Sequence, residues 1–220
     1  MRRESSTVVV LVGQVGEGLL TGLAQSPNVS VARAPAVAAG NGKAPQGSPP
    51  AAGQRPGWEA GALALREAAR RSSTYVIVPD DPLADVAAAW HAMWDVPAGP
   101  GGSAGFEQQA AEALAAWREK RFELPDYYLV VAPAQGSVTG PDLHLGPLRS
   151  VRPRRVAVAV AAGAGSAGAT GATGAAGAAG LLDTLRSLEH GPWWPPLGDL
   201  LDAARRFYAG GLAETQQTLA

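Results

Sequence analysis

The apolar residues of this chain fall into two alternating patterns. Short runs rich in valine and aromatic residues, bounded by glycine, proline or polar residues, are typical of strands that are buried on both faces. The clearest of them is TVVVLVG, near the start of the chain. Five such runs predict strands, at residues 7–13, 29–34, 74–78, 127–132 and 155–161.

Between these runs, apolar residues recur at spacings of three and four, which is typical of amphipathic helices. The segment after the third predicted strand shows this best. Pro82 suits a first helical position there, and Asp81 before it suits an N-cap. Six helices are predicted in this way, at residues 16–25, 58–71, 82–94, 106–121, 181–188 and 197–208.

The alternation of strands and helices predicts the fold class. Helices that connect successive strands favour a parallel sheet with helices on both faces. We therefore predict an α/β three-layer sandwich with about five mainly parallel strands, Rossmann-like or flavodoxin-like. The pattern does not define the strand order. We assign residues 1–220 to a single domain, because the predicted elements suffice for one core.

Three segments interrupt the pattern because they hold almost no bulky apolar residue. They are rich in Ala, Gly and Pro or in small polar residues, and such segments cannot bury enough surface to offset the entropy lost on ordering. We predict a flexible, disordered insertion at 35–57, a linker at 98–105 and a low-complexity insertion at 163–180.

Charge and composition exclude several classes of function. The formal net charge is −1, which gives no general attraction to nucleic acid or to an anionic membrane. The absence of cysteine excludes disulfides and thiolate metal sites. The apolar run at 7–13 is too short for a signal-peptide core, and the Ala/Gly-rich stretch 156–182 gains little from transfer into hydrocarbon. We expect a cytoplasmic protein that binds neither nucleic acid nor membrane.

A glycine-rich turn after the first predicted strand is the first candidate site. Gly13, Gly16 and Gly18 precede a helix, where the phosphates of a nucleotide cofactor would meet a helix N-terminus. Their spacing is G-x-x-G-x-G rather than the dinucleotide fingerprint G-x-G-x-x-G, and Glu17 adds negative charge. The alternative is a tight turn that uses glycine only for its backbone angles.

Asp80 and Asp81 form the second candidate, because they follow the third predicted strand. Ligands of open α/β sheets bind beyond the carboxyl ends of the strands, so these carboxylates are candidates to contact a cofactor's ribose or a hydrated Mg²⁺. The alternative assigns Asp81 to an N-cap and Asp85 to the first helical turn, with no ligand.

Two segments are candidates for binding another protein. Arg152, Arg154 and Arg155 precede the fifth predicted strand, and arginine forks bind phosphate or carboxylate groups. Trp193 and Trp194 lie among prolines in a stiff segment, where adjacent side chains point to opposite sides. The alternatives are a solvated loop for the arginines and docking onto the protein's own core for the tryptophans.

No catalytic motif in the sequence is complete. His91, His144 and His190 show no metal-ligand spacing, so no metal site is predicted, and no G-x-S-x-G turn is present. The sequence leaves open whether the protein is an enzyme and which cofactor it uses. Two functional hypotheses follow: a non-catalytic interaction or regulatory module, or a nucleotide-binding protein or enzyme that uses the Gly13–Gly18 turn.

Overall fold

The computed structural model describes residues 6–13, 15–35, 57–95, 103–133, 142–161 and 172–218. Most of the predicted insertion at 35–57 and linker at 98–105, and the first half of the tract at 163–180, lie outside the described residues. The single-domain assignment therefore stays a prediction for the chain as a whole.

The strands form one five-stranded parallel sheet in the order β2-β3-β1-β4-β5. The predicted α/β three-layer fold is confirmed. The order is that of the Rossmann fold with β2 and β3 exchanged. The strands are β1 Thr7–Gly13, β2 Val29–Val31, β3 Tyr75–Val78, β4 Tyr127–Pro133 and β5 Val156–Ala161.

Helices cover both faces of the sheet. The described helices are α1 Glu17–Ala24, α2 Gly57–Ala68, α3 Ala84–Asp95, α4 Ala104–Arg118, α5 Arg149–Val151, α6 Ala172–Arg186 and α7 Leu197–Thr218. A single π-helical turn, His144–Leu148, leads directly into α5.

Three helical segments differ from the prediction, of which α7 differs only in length, since it extends to Thr218 instead of ending at residue 208. Residues 172–180, predicted as part of a low-complexity insertion, form the first half of α6. Alanine is the best helix former, and Ala178, Leu181 and Leu185 bury one side of α6 against the sheet. The π turn was not predicted because Gly146 and Pro147 disfavour a helix.

The alternating side chains of the strands fill two separate cores. Val9 and Leu11 of β1 pack beneath α1 and α6, whereas Val10 and Val12 point to the opposite face, beneath α2, α3, α4 and α7. Strand side chains alternate between faces, so β1 contributes to both cores. It is also the central strand, between β3 and β4.

The path of the chain leaves a crevice at the carboxyl end of β1. The connection from β1 runs through α1 on one face toward β2, whereas the connections from β2, β3 and β4 run toward β5 on the other face. A single handedness for all crossovers requires this change of face when the direction reverses. The chain therefore diverges on either side of the carboxyl end of β1, where open α/β sheets bind ligands.

Two glycines allow close packing around this crevice. Gly13 has φ +98°, and a β carbon there would lie 2.6 Å from the carbonyl oxygen of Val131 on β4. Gly61 of α2 lies against the backbone of Asp81 and Pro82, where a β carbon would lie 2.3 Å from the Pro82 nitrogen. Helix α2 thus packs directly against the turn that carries Asp81.

Of the helices in the described ranges, none has the apolar run that a transmembrane segment needs. The cytoplasmic location stays a prediction.

We expect Gly13→Ala to lower the free energy of unfolding by about 2–3 kcal/mol, because alanine is strained at positive φ and its β carbon meets backbone. Gly16→Ser is the matched control. Gly16 has φ −88°, caps α1 without a side-chain hydrogen bond and has open space around it. Serine there should raise the free energy of unfolding by about 0.3 kcal/mol, because its hydroxyl can cap α1. Urea denaturation of both variants measures the difference, and equal effects would contradict the assigned turn geometry.

Candidate functional site

A cleft of about 580 Å³ opens at the carboxyl edge of the sheet, between the ends of β1 and β3. Its walls come from the turn after β1, the segment after β2, the start of α3 and the π turn. Its charged and polar lining residues are Glu17, Arg33, Asp80, Asp81, Asp142 and His144.

The floor of the cleft holds a buried imidazole between two carboxylates. The Nε2 atom of His144 lies 3.1 Å from Asp81 Oδ2, at ion-pair distance but without hydrogen-bond alignment. Its Nδ1 atom lies 3.3 Å from Asp142 Oδ1. In this Asp81–His144–Asp142 triad, His144 and Asp81 are removed from water, at 3% and 9% exposed, whereas the Asp142 side chain is 26% exposed.

Local backbone geometry holds both carboxylates in place. The Oδ1 atom of Asp142 accepts the backbone N–H groups of His144 and Leu145, at 2.6 and 3.1 Å. The Oδ1 atom of Asp81 accepts the N–H of Leu83 at 2.8 Å and caps the turn that leads into α3. Asp81 therefore begins its turn with Oδ1 and faces His144 with Oδ2, whereas Asp142 uses Oδ1 for both contacts.

The triad keeps His144 protonated. Burial alone lowers the pKa of His144, but the carboxylates of Asp81 and Asp142 outweigh it and raise that pKa to about 9. Burial also acts on Asp142 and raises its pKa, but the hydrogen bond and charge of His144 and the backbone N–H groups lower the pKa overall. The triad is thus a carboxylate, an imidazolium and a carboxylate.

Tyr128 forms the apolar support beneath His144. The two rings lie 4.8 Å apart, centroid to centroid. Burial and the charge of Asp81 raise the pKa of Tyr128 well above its usual range, so its hydroxyl stays protonated. On its other side, Tyr128 makes an edge-to-face contact with Trp194, at 5.8 Å between centroids.

The rim of the cleft carries a second charged arrangement. Arg33 donates from both terminal nitrogens to the two Glu17 oxygens, at 3.0 and 2.6 Å. The Asp80 carboxylate lies beside them and accepts the N–H of Ala34 at 2.9 Å. The hydrogen bond from Arg33 lowers the pKa of Glu17, desolvation opposes it, and the charge of Arg33 adds to the lowering, so that the pKa falls overall. Glu17 therefore places an ionised carboxylate at the N-terminus of α1.

The structure brings together most of the residues predicted as cofactor-binding. Gly13, Asp80 and Asp81 line the cleft. Gly16 is the N-cap of α1 beside it, and Gly18 is exposed in the first turn of that helix. No side chain caps the N–H groups of this first turn, and those of Leu19 and Leu20 donate to the Gly16 carbonyl oxygen at 3.1 and 3.2 Å. Cofactor binding by these residues stays a prediction.

Sequence reasoning missed Asp142, His144 and Arg33 as members of the site. His144 lies well beyond the end of the predicted strand at 127–132. Residues 134–141 show no apolar pattern that would predict where the segment lies relative to the sheet. The available signal was Asp142 two residues before His144, an arrangement that forms a turn in which the aspartate accepts backbone N–H groups. Recognising the contact with Asp81 requires the three-dimensional fold.

The predicted arginine cluster lies against the segment at 189–196. Arg155 is 8% exposed and donates to the carbonyl oxygens of Gly191, Pro192 and Asp126, at 2.6, 3.2 and 3.1 Å. Arg152 donates to the Trp193 carbonyl oxygen at 2.7 Å. Arg154 forms an exposed ion pair with Glu189 at 3.2 Å. The three guanidinium groups thus fasten the connection between α6 and α7 to the end of the sheet.

The two adjacent tryptophans have different environments. Trp194 is 5% exposed, and its indole N–H donates to the Pro125 carbonyl oxygen at 2.7 Å. Trp193 is 39% exposed, and its ring lies 4.7 Å from the Arg155 guanidinium carbon. Partner binding by this segment stays a prediction, and its accessible aromatic surface belongs to Trp193.

Within the described ranges, no group of three or more His, Asp and Glu side chains is arranged to hold a metal ion. Comparisons with protein-family models, curated proteins and solved structures find no match. The cleft presents carboxylate oxygen atoms as acceptors, from Asp80, Asp81 and Asp142 and from Glu17 at the start of α1.

We expect the stability of the fold to decrease between about pH 6.5 and pH 9. The pKa of His144 rises from 6.5 to about 9 on folding, so its contribution is complete below pH 6.5 and is lost as pH passes through 9. The free energy of unfolding should decrease by about 3 kcal/mol over this range, and urea denaturation at the two pH values measures it. The double variant Asp81→Asn/His144→Gln should lose this pH dependence. The same pH profile in both proteins would show that the triad does not hold a proton.

Proposed function

We propose that this protein binds a small polar molecule, neutral or positively charged, in the cleft at the carboxyl edge of the sheet. The observation that carries the proposal is the Asp81–His144–Asp142 triad in its floor, in which His144 and Asp81 are buried. Burying ionised groups costs several kcal/mol each before pairing is counted, so stability alone favours an apolar floor here. Charged and titratable groups held in a cleft in this way are characteristic of binding sites.

The charges of the cleft define the ligand class. The carboxylates of Asp80, Asp81, Asp142 and Glu17 outnumber the cations Arg33 and His144. Arg33 is already paired in bidentate fashion with Glu17, and His144 is paired within the triad. The accessible electrostatic field is therefore negative, which favours ligands that donate N–H or O–H groups.

The same charges oppose a phosphate group. A phosphate at the N-terminus of α1 would meet the Glu17 carboxylate, which already occupies the favourable end of the helix dipole. The proposed ligand therefore differs from the nucleotide expected at the Gly13–Gly18 turn: it is an unphosphorylated molecule such as a nucleoside, a polyol or an amine.

We propose binding rather than turnover at this cleft. Each ring nitrogen of His144 already faces a carboxylate, so neither is available to exchange a proton with a ligand. Asp80 has one oxygen atom on the Ala34 N–H and lines the cleft, so its carboxylate is the best placed to contact the ligand. The triad holds Asp81 in place next to Asp80.

We expect adenosine, ribose or putrescine to shift the amide NMR signals of Gly13, Glu17 and Ala34, and adenosine monophosphate to bind at least about tenfold more weakly than adenosine. Asp80→Asn should weaken binding about tenfold, equivalent to about 1.4 kcal/mol, since it removes the charge but keeps an acceptor for Ala34. Asp199→Asn, in the first turn of α7, is the matched control and should bind as the wild type does.

The proposal is wrong if the monophosphate binds more tightly than adenosine, because the cleft would then attract anions. It is also wrong if none of the four compounds shifts the cleft amides at saturating concentration. Shifts confined to residues near Trp193 would move the binding site to the other edge of the sheet.

We also propose a second function, recognition of a protein segment, at the amino edge of the sheet. A groove of about 860 Å³ lies there between Trp193, Pro195 and Pro196 on one side and Trp117 and the loop after α4 on the other. Arg118 and Lys120 stand on its rim. An extended peptide with apolar and acidic residues fits this combination.

Trp193→Ala and Trp194→Ala test this groove as a pair. Trp194→Ala should lower the free energy of unfolding by about 3–5 kcal/mol because it leaves a cavity in the core. Trp193→Ala should lower the free energy of unfolding by only about 1 kcal/mol, because it removes the contact with the Arg155 guanidinium. Peptides selected on the wild type from a random library should bind Trp193→Ala at least tenfold more weakly. Unchanged peptide binding to Trp193→Ala would exclude this groove.

A further inference from the structure

The β5 strand is the longer edge of the sheet and has an open side. It pairs with β4, and no described residue outside β4 makes a backbone hydrogen bond to Val156–Ala161. Val158 and Val160 are 38% and 58% exposed, and they are two of the four large apolar side chains that the described ranges expose. An apolar edge strand of this length is a ready template for another strand.

The unpaired backbone groups of β5 belong to Val158 and Val160, the residues whose side chains are exposed. The Arg155 carbonyl oxygen accepts the N–H of Tyr128 on β4. Backbone groups alternate in direction along a strand, so Ala157 and Ala159 also bond to β4, whereas Val158 and Val160 direct their N–H and C=O groups outward. The exposed valine side chains and the unpaired backbone groups therefore coincide.

The two edges of the sheet differ in their protection. The β2 edge has three residues, Val29–Val31, and Arg33 follows closely. Short edge strands and nearby charges are the usual means of blocking edge pairing. The β5 strand has six residues with neither a charge nor a proline among them. Arg155, just before it, is turned toward Gly191 and Pro192.

We infer that β5 pairs with β5 of a second copy of this chain and forms a continuous sheet across a two-fold axis. The strict alternation VAVAVA makes the strand complementary to itself, because directly opposite residues of an antiparallel pair lie on the same face. With the axis at Ala159, Val158 of each copy lies opposite Val160 of the other. These pairs exchange the outward hydrogen bonds and cover the exposed valines.

The absence of charge on β5 selects a second copy as the occupant. A two-fold interface places each residue next to its equivalent, so any charge near the axis would meet a like charge. Residues 156–161 contain none. A charged partner strand would find no complementary group along this strand. The inference is independent of the proposed ligand site, which lies between β1 and β3.

Sedimentation equilibrium of the full chain tests this inference. We expect a monomer–dimer equilibrium that Val160→Lys weakens at least about tenfold by placing two lysines at the interface. Ala115→Lys, on the exposed side of α4, is the matched control and should dimerise as the wild type does. Amide exchange of Val158 and Val160 should slow as protein concentration rises, while the amides of β1 stay unchanged.

A wild type that remains monomeric up to its solubility limit overturns the inference. Slow exchange of the Val158 and Val160 amides at every concentration also overturns it, because part of the same chain would then cover the edge. Equal dimerisation of Val160→Lys and the wild type would place the interface on another surface.

Discussion

The burial of β1 between two helical layers is the constraint on which the rest of the structure depends. Its residues alternate between both cores, so its backbone polar groups must be paired inside the protein: most bond to β3 or β4, and the Val8 N–H donates to the Asp126 carboxylate just before β4. The central position forces the chain to leave β1 over one face and its neighbours over the other. The cleft is a geometrical result of that divergence.

The triad shows how a buried charge is accommodated. Three ionised groups lie near the same point, with the positive one in the middle. Asp81 and Asp142 also satisfy backbone donors of the helical turns they begin, so their desolvation is offset by several hydrogen bonds. Gly61 allows α2 to pack against the Asp81 turn, and Tyr128 fills the space beneath His144.

Much of the fold followed from local pattern, and the site followed only in part. The strand at 7–13 was predicted with its observed bounds because its apolar residues are continuous and it ends at glycine. The start of α6 was not predicted because its small residues carry little hydrophobic signal; alanine favours the helix, and the later residues Ala178, Leu181 and Leu185 are buried in the core that also contains α1.

Some residues of the site could be predicted from the sequence, and others required the three-dimensional fold. Gly13, Asp80 and Asp81 could be placed near the cleft that they line because the carboxyl ends of strands can be located in a sequence. His144 could not be paired with Asp81, because the strand order that brings the π turn beside β3 is a tertiary property. The side-chain pattern of 193–194 predicted opposite orientations, but only the fold shows that Trp194 is the buried member.

Tyr128 connects the carboxyl end of the sheet, where the cleft lies, with the segment at its amino end. Its ring contacts His144 at the floor of the cleft and Trp194 in the segment between α6 and α7. The ligand cleft and the closing segment therefore share one buried side chain, although they open on opposite edges. A fragment that stops after α6 would retain Tyr128 and every residue that lines the cleft, but it would lose Trp194, which packs against the Tyr128 ring. The smallest autonomous unit that carries this site thus extends through Trp194 into α7.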